Sequence, residues 1–273
     1  MNAILLDVYL NDASGIDASV CDEEIDGVRV YVVTPSGVLF EGARRAYLYL
    51  HGGAHVFGGG ECCRATGVQA ATVAAVRTYA VDYRMPPDHP YPAAVNDCTA
   101  VYRALLRDHQ PEEIVVGGIS AGANLAAALI LQARDEGLPL PAAAVLLTPY
   151  LDLTESGDTY NTNLGLDTNL IRRPTPFSAL YAAGHDLADP YLSPLFGDFT
   201  KGFPATFLQT GTRDMLLSDT ARMHRALRAA GVPTELHVFE AMPHAAFGNG
   251  APEDAEVNAE VRRFIDAHWP VVE

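Results

Sequence analysis

The chain has 273 residues, 49% of them hydrophobic, which is enough to bury the core of one α/β domain. It has 18 Lys and Arg against 34 Asp and Glu, a formal net charge of −16, and no basic stripe. This balance argues against nucleic acid or an anionic membrane as the main partner. No stretch reaches the roughly 18 apolar residues of a membrane helix, and the first residues lack the positive segment of a secretory signal.

The cysteines predict a reducing environment. Cys21, Cys62, Cys63 and Cys98 have neither the paired spacing of a metal site nor the density of a disulfide framework. We therefore expect free thiols in a cytoplasmic protein that uses no metal. The adjacent pair is expected to be two buried thiols at the start of a helix.

Apolar runs of strand length alternate with longer helical patterns along the chain. This alternation predicts one domain over residues 1–273, with a mostly parallel sheet and helices on both faces. The predicted strands span residues 28–34, 46–51, 77–83, 113–118, 142–148, 205–210 and 234–239. The predicted helices lie near residues 64–75, 92–108, 121–136, 218–230 and 253–268.

A glycine-rich turn follows the second predicted strand. His51, Gly52, Gly53 and Ala54 come directly after the apolar run 46–50. Backbone N–H groups at such glycines can point into a site without obstruction from side chains, as the stabilisation of a developing oxyanion requires. His51 is better placed to position this loop than to act as a base.

A second turn carries the candidate nucleophile. Gly118-Ile119-Ser120-Ala121-Gly122 follows a short apolar run and opens an Ala- and Leu-rich helical stretch. The Gly-x-Ser-x-Gly pattern alone is weak, and its serine could merely cap the helix. Between a strand and a helix, however, the small flanking residues let the chain turn tightly enough to raise Ser120 Oγ to the carboxyl edge of a sheet.

The composition changes between residues 152 and 189, where Gly, Asn, Thr and Pro become frequent before an aromatic stretch at 177–181. A structureless loop of this length would be unusual in a compact domain. We interpret the segment as an excursion that covers the site.

Two further residues complete a serine-hydrolase constellation. Asp214 and His244 each come just after a predicted strand. A serine hydroxyl needs a base within hydrogen-bond reach, and that base needs an orienting carboxylate. The order Ser120, Asp214, His244 is the order found in α/β-hydrolases. Asp219 is the alternative acid, but its place inside the next helix would point it away.

These residues together resemble the hormone-sensitive-lipase-like esterases, a branch of the α/β-hydrolases, from about Val28 onwards. The blocks that carry the resemblance are His51 to Ala54, Tyr83 to Ala94, Gly118 to Gly122, Asp214-Met215-Leu216 and Pro243-His244. The resemblance implies an α/β-hydrolase fold and main-chain oxyanion donors at Gly52, Gly53 and Ala121. It also implies a cap of two segments, here residues 152–189 and a reduced N-terminal part over residues 1–25.

Two positions depart from the family pattern. Ala54 stands where the family has its third glycine, which leaves the main-chain donors in place. Ile119 stands where Asp or Thr usually precedes the serine. That change removes a polar side chain, so we expect altered hydrogen bonding around the elbow and an altered substrate range, without loss of activity.

The sequence therefore predicts a carboxylic ester hydrolase that acts on a small-molecule ester with a short- to medium-chain acyl group, through an acyl-enzyme and without a cofactor. A lactone, amide or carbamate hydrolase with the same triad is an alternative, as is a noncatalytic protein that keeps the fold. A homodimer is left open. The predicted pocket walls are Val56, Phe57, Phe177, Leu180, Tyr181 and Phe247, although the aromatic residues could instead pack the cap onto the core.

Overall fold

The computed structural model describes residues 15–37, 44–248 and 250–269. In these ranges eight strands form a sheet: β1 Ala18–Ile25, β2 Val28–Pro35, β3 Ala46–Leu50, β4 Arg77–Val81, β5 Ile114–Ile119, β6 Ala143–Leu147, β7 Ala205–Gly211 and β8 Thr234–Phe239. The α-helices of the same ranges are α1 Glu61–Ala74, α2 Ala93–Leu105, α3 Ala121–Asp135, α4 Thr159–Thr162, α5 Thr175–Ala182, α6 Leu217–Ala229 and α7 Pro252–His268. Short 3-10 helices cover Pro111–Glu113, Pro194–Phe196 and Phe199–Lys201.

The strand order is β1-β2-β4-β3-β5-β6-β7-β8. β2 pairs antiparallel with both β1 and β4, whereas all pairs from β4 to β8 are parallel. Helices α2, α3 and α6 cover one face, and α1 and α7 cover the other. The predicted α/β-hydrolase fold is confirmed. Because the central strands are parallel, the loops after β3, β5, β7 and β8 all lie at one edge of the sheet.

The central elements are apolar on every side because they are covered on both faces. All five residues of β3 are buried. Helix α3 is buried continuously from Ala121 to Leu131, and its many alanines let it lie close to the sheet. A helix in this position needs no polar face, which explains its Ala- and Leu-rich sequence.

Strand β1 differs from the sequence prediction, which assigned residues 18–25 to the reduced cap. These residues pair with β2 instead, with Ile25 opposite Val28. Asp26 and Gly27 form the two-residue turn between the strands, with φ of 48° and 81°. β1 is an edge strand whose exposed acidic residues protect the edge and obscure its apolar alternation. The rest of the predicted N-terminal cap, residues 1–14, lies outside the described residues.

The four cysteines are free, as expected. Cys62 and Cys63 are buried in the first turn of α1, Cys98 is buried in α2, and Cys21 is exposed on β1. No helix in the described ranges combines the length and the apolar composition that crossing a bilayer requires.

Residues 152–189 contain α4 and α5 between turns, and buried polar contacts hold them to the core. Tyr150 Oη and Ser178 Oγ lie 2.5 Å apart. Asp152, which is fully buried, forms an ion pair of 2.7 Å with Arg222 of α6. The predicted excursion is therefore held in place by side chains and not by strand pairing.

Asp219 of α6 fixes the start of this excursion. Its Oδ2 accepts hydrogen bonds from the N–H groups of Leu151 at 2.9 Å and Asp152 at 3.0 Å, and from Tyr160 Oη at 2.8 Å. Its Oδ1 has no partner among the described residues. Burial raises the pKa of this carboxyl well above the usual aspartate value.

The raised pKa gives a testable pH dependence. Folded Asp219 holds its proton more tightly than the unfolded chain does, so its contribution to stability falls as the pH rises from the ordinary aspartate pKa towards the folded value. Asparagine keeps the acceptor oxygen and cannot ionise. Between about pH 5 and about pH 8, we expect the Tm of Asp219→Asn to fall less than that of the wild type, by a few degrees, since 1 kcal/mol shifts Tm by about 2–4 °C at this size.

Circular dichroism melting curves at several pH values measure this difference. Asp198→Asn is the control. Hydrogen bonds from Thr200 lower the pKa of Asp198, so its contribution to stability changes with pH only at more acidic pH than the range tested. Parallel Tm curves for wild type and Asp219→Asn would contradict the assignment.

Candidate active site

The nucleophile elbow is a sharp turn between β5 and α3. Ser120 has φ 57° and ψ −119°, a strained conformation for a residue with a side chain. A Cβ on Gly118 would lie 2.5 Å from the carbonyl oxygen of Leu50, and one on Gly122 would lie 2.0 Å from the same atom. Glycine is therefore required at both positions. The Ser120 side chain makes no capping hydrogen bond to the helix, so the simple helix-cap reading is not supported.

Three side chains form a hydrogen-bonded relay, which we call the triad. His244 Nε2 lies 2.8 Å from Ser120 Oγ, and His244 Nδ1 lies 3.1 Å from Asp214 Oδ1. His244 is 5% exposed and Asp214 is fully buried. A carboxylate only accepts hydrogen bonds, so a neutral ring donates its Nδ1–H to Asp214 and turns the Nε2 lone pair towards the hydroxyl. This is the arrangement in which serine can lose its proton to a base.

Asp214 is oriented by two further donors. Its Oδ1 accepts the N–H of Leu216 at 2.9 Å, and its Oδ2 accepts the hydroxyl of Thr210 at 2.8 Å. The alternative acid, Asp219, binds the backbone of the excursion instead. The structure thus brings the predicted acid to the histidine and leaves the alternative elsewhere.

The glycine turn after β3 lies against the elbow. A Cβ on Gly52 would lie 3.1 Å from the carbonyl oxygen of Ile119 and 3.5 Å from Ser120 Cβ. Gly53 has φ 118°, and a Cβ there would lie 2.3 Å from the carbonyl oxygen of Phe57. Gly52 thus lies in close contact with the elbow, and the turn itself requires glycine at position 53.

The third predicted oxyanion donor, Ala121, is the first residue of α3. Its N–H is at a helix N-terminus, where backbone donors are unsatisfied and favour negative charge. Of the predicted donors, Gly52 and Ala121 thus adjoin Ser120, and Gly53 follows Gly52 in the same turn.

A family match agrees with this geometry. Residues 47–248 match the family described as alpha/beta hydrolase fold. The chain belongs to the α/β-hydrolase fold family. Among solved structures, it is similar to esterase E25, with 41% identity and a TM-score of 0.92 over 97% of this chain and 83% of that chain. An esterase of the bacterial hormone-sensitive lipase family is 30% identical, with a TM-score of 0.91 over 98% and 91% of the two chains.

Sequence relatives point the same way. An acetyl-hydrolase of Streptomyces hygroscopicus is 38% identical over 205 residues, which are 73% of this chain and 67% of that protein. An esterase of Acinetobacter venetianus is 31% identical over 227 residues, 81% of this chain and 75% of that protein. The resemblance to hormone-sensitive-lipase-like esterases is confirmed.

In this α/β-hydrolase, a buried stack that the sequence analysis missed anchors the loop after β3. His55 stacks on Tyr181 with ring centroids 4.1 Å apart, and both are fully buried. His55 Nε2 lies 3.2 Å from Asn124 Oδ1 of α3. The Asn124 amide donates to two backbone carbonyls, so its oxygen must accept the Nε2–H of the ring. Burial lowers the pKa of His55 to about 3, which keeps the ring neutral.

The prediction of Tyr181 as a pocket wall is therefore wrong. Its ring is covered by His55 on one face and meets Tyr91 edge to face at 6.0 Å. Tyr181 points into the core because it lies on the buried side of α5 with Ser178 and Ala182, while Leu180 is 45% exposed. Tyr181 instead packs the cap onto the core, which was the alternative expectation for the aromatic residues.

Two other predicted pocket residues do meet at the surface. Phe57, from the loop after β3, and Phe177, from α5, contact edge to face with ring centroids 5.3 Å apart. Both are partly buried, as is Val56. Phe247, in the histidine loop, is 39% exposed. Phe57 and Phe177 thus form an apolar surface between the excursion and the loop after β3.

A cavity of about 710 Å³ lies beside the glycine turn after β3, between α1 and α7. Gly52, Ile119 and Ala245 border it from the catalytic loops. Its lining includes none of the six predicted pocket residues. Ile119, where the family usually has Asp or Thr, thus contributes an apolar side chain to this wall.

The sequence analysis also missed a buried carboxylate that joins the two loops of the triad. Asp167, in the excursion, is 2% exposed. Its Oδ2 accepts the N–H of Met215 at 2.9 Å, next to the acid, and its Oδ1 accepts the N–H of His244 at 3.3 Å. One carboxylate therefore holds the backbone of both catalytic loops.

Two asparagines of the same segment strengthen this connection. Asn163 Nδ2 donates to the carbonyl oxygen of Asp214 at 2.8 Å, and Asn169 Nδ2 donates to that of His244 at 2.5 Å. We call Asn163, Asp167 and Asn169 the clasp. The local Asx turn in which Asp167 accepts the N–H of Asn169 could be read from the sequence. The bonds to the distant loops could not.

The clasp predicts a loss of turnover without a loss of substrate binding. In Asp167→Asn an amide NH2 replaces one acceptor and faces a backbone N–H, which costs about 1–3 kcal/mol. Because Met215 and His244 are the partners, we expect kcat to fall about 10- to 100-fold with KM little changed.

Steady-state kinetics on an activated ester, below the Tm of each variant, provide the test. Asp198→Asn is the matched control, since Asp198 makes the same local turn to Thr200 away from the triad. An unchanged kcat in Asp167→Asn, or an equal loss in both variants, would rule out the positioning role.

Proposed function

We propose that this α/β-hydrolase is a serine carboxylic ester hydrolase that cleaves short- to medium-chain acyl esters through an acyl-enzyme on Ser120. The observation that carries the proposal is the continuous relay Asp214, His244, Ser120, with heavy-atom distances of 3.1 and 2.8 Å. The relatives named esterase and acetyl-hydrolase support the reaction class.

In the first half of the reaction, His244 Nε2 takes the hydroxyl proton as Ser120 Oγ attacks the ester carbonyl. The negative charge that develops on the carbonyl oxygen is stabilised by the N–H groups of Gly52, Gly53 and Ala121. Collapse of the tetrahedral intermediate breaks the bond to the alcohol, which leaves with the proton from His244.

In the second half, water takes the place of the alcohol. His244 removes a proton from water, whose oxygen attacks the acyl-enzyme carbonyl, and the same donors hold the second oxyanion. The proton then returns to Ser120 as the acid leaves. Asp214 keeps the ring in the Nδ1–H tautomer and stabilises the imidazolium in both halves. Asp214 is fully buried and accepts hydrogen bonds from Thr210 and Leu216, which hold the carboxylate in place.

Removal of the nucleophile tests the proposal. We expect Ser120→Ala to lower kcat for an activated ester by about 10⁴-fold or more, because a triad acts as a unit. The fold should persist, since the hydroxyl makes no helix cap. Ser19→Ala, at an exposed serine of β1, is the control.

A serine-directed phosphonate gives an independent measurement. Mass analysis of the digested adduct should find the label on the peptide that contains Ser120, in the wild type and not in Ser120→Ala. Retention of more than about a hundredth of the rate in Ser120→Ala, or a label on another peptide, would show that the nucleophile is elsewhere.

The acyl-chain preference follows from the surface of Phe57 and Phe177. Each methylene buried against an apolar wall is worth about 0.8 kcal/mol, or about fourfold in kcat/KM. We expect kcat/KM to rise up to acyl chains of about four to six carbons and then to level off, since the wall is short.

Phe177→Ala should flatten this rise and leave acetyl-ester hydrolysis nearly unchanged. Phe196→Ala, at another partly exposed phenylalanine, serves as the control. A series of p-nitrophenyl esters measures the profile. An optimum at about ten carbons or more would refute the short wall.

A further inference from the structure

A cluster of ligand-type side chains lies behind the oxyanion loop. His51 follows β3, Cys63 lies in the first turn of α1, and Asp82 follows β4. One imidazole nitrogen, the thiol sulfur and one carboxylate oxygen all lie within 4.8 Å of one another. His51 and Cys63 are 1% and 0% exposed. Neither the triad nor the clasp uses these three ligand atoms.

The His51 ring has the hydrogen-bonding pattern of a metal ligand. Its Nδ1 lies 2.8 Å from the carbonyl oxygen of Gly52, which can only accept, so Nδ1 carries the hydrogen and Nε2 carries a lone pair. That Nε2 is buried and has no hydrogen-bond partner among the described residues. Metal-bound histidines usually have their other ring nitrogen fixed by such an outer hydrogen bond. Burial lowers the pKa of His51 to about 4, so the ring is neutral near pH 7.

Asp82 and Cys63 supply a charged ligand and a soft ligand. Asp82 Oδ1 accepts the N–H of Gly60 at 2.9 Å, which orients the carboxylate and leaves it further acceptor capacity. The Cys63 thiol must lose its proton to bind a cation as a thiolate. Binding of one cation breaks the S–H bond, forms a metal–sulfur bond and releases one proton to the solvent.

We propose that His51, Cys63 and Asp82 bind one thiophilic divalent cation of the Zn²⁺ type, with water as the fourth ligand, and that this cation inhibits the esterase. A nitrogen, sulfur and oxygen set with one open position suits zinc. Zinc bonds of about 2.0–2.3 Å place tetrahedral ligand atoms about 3.3–3.7 Å apart. The three ligand atoms lie within 4.8 Å of one another, so binding of a cation draws them together by up to about 1 Å.

That movement explains the inhibition. His51 immediately precedes Gly52, and its ring is hydrogen-bonded to the Gly52 carbonyl. A shift of the ring towards Cys63 displaces the proposed oxyanion donors, which must meet the substrate within a few tenths of an ångström. The inhibitory effect rests on the proposed function, whereas the binding of the cation does not.

A second ligand-type group, Glu235, His237 and Glu260, lacks these features. Both of its carboxylates accept direct hydrogen bonds from Arg263, whereas the ion pair of Asp82 with Arg29 is long, at 3.9 Å. The His237 Nε2 atom already lies 3.4 Å from Glu235 Oε2. A cation at this group would have to displace the arginine, so we assign the site to the His51 cluster.

Equilibrium dialysis of the metal-free full chain against Zn²⁺, followed by elemental analysis, tests the site without any ester. We expect one bound zinc per chain in the wild type and in Cys62→Ser, the matched control next to the ligand. Cys63→Ser should bind more than about 100-fold more weakly, since even outer-shell partners are worth about 10- to 100-fold. If Cys63→Ser does not fold, Asp82→Asn, which keeps the acceptor for Gly60, should still bind about 10-fold more weakly.

Co²⁺ provides a spectroscopic measurement of the same site. A thiolate-to-cobalt charge-transfer band should appear in the wild type and Cys62→Ser and be absent in Cys63→Ser. Equal zinc binding in Cys63→Ser and wild type, or no binding at all, overturns the site. Stoichiometric binding that leaves kcat unchanged overturns the inhibition, and Mg²⁺ should neither bind nor inhibit.

Discussion

The active site depends on how closely separate backbone segments approach one another at the carboxyl edge of the sheet. The carbonyl oxygen of Leu50 would lie 2.5 Å from a Cβ on Gly118 and 2.0 Å from one on Gly122. A Cβ on Gly211 would lie 2.0 Å from the carbonyl oxygen of Met242. The two contacts with Leu50 set the loop after β3 against the elbow. The contact of Gly211 with Met242 sets the loop that carries Asp214 against the loop that carries His244. Because hydrogen bonds tolerate errors of only a few tenths of an ångström, glycine at these positions fixes the geometry of the whole site.

A second constraint acts on the excursion over residues 152–189. The segment has little regular structure, so its backbone groups and those of the loops below it need partners from side chains. Short carboxylates and amides supply them, with Asp219 at its start and the clasp in its middle. Short polar side chains lose little rotamer freedom when they are buried, which makes them efficient connectors. The excursion is thus ordered by the same hydrogen bonds that hold the catalytic loops.

Most of the sheet and the order of the triad could be predicted from the sequence, because buried parallel strands and a tight elbow leave local patterns. Strand β1 was missed although Asp26-Gly27 is a hairpin signal, since acidic residues at an edge mask the alternation. Tyr181 was assigned to the pocket because composition does not say which side of a short helix faces inwards. The clasp and the stack of His55 on Tyr181 were invisible for another reason. Their partners lie far away in the chain, and an isolated Asp, Asn or His has no periodicity that reveals a distant contact.

The two departures from the family pattern fall on this same framework. Ala54 and His55 have φ of 53° and 64°, a region that favours glycine and costs a residue with a side chain about 1 kcal/mol or more. The His55 stack and its bond to Asn124 offset that strain, so the loop keeps its shape without a third glycine. Ile119 packs beside Gly52. A Cβ added to Gly52 would lie 3.3 Å from Ile119 Cγ2. The elbow and the oxyanion loop are therefore in van der Waals contact at this point. This contact involves no group that changes charge in the proposed acyl-enzyme mechanism, so that mechanism leaves it unaltered.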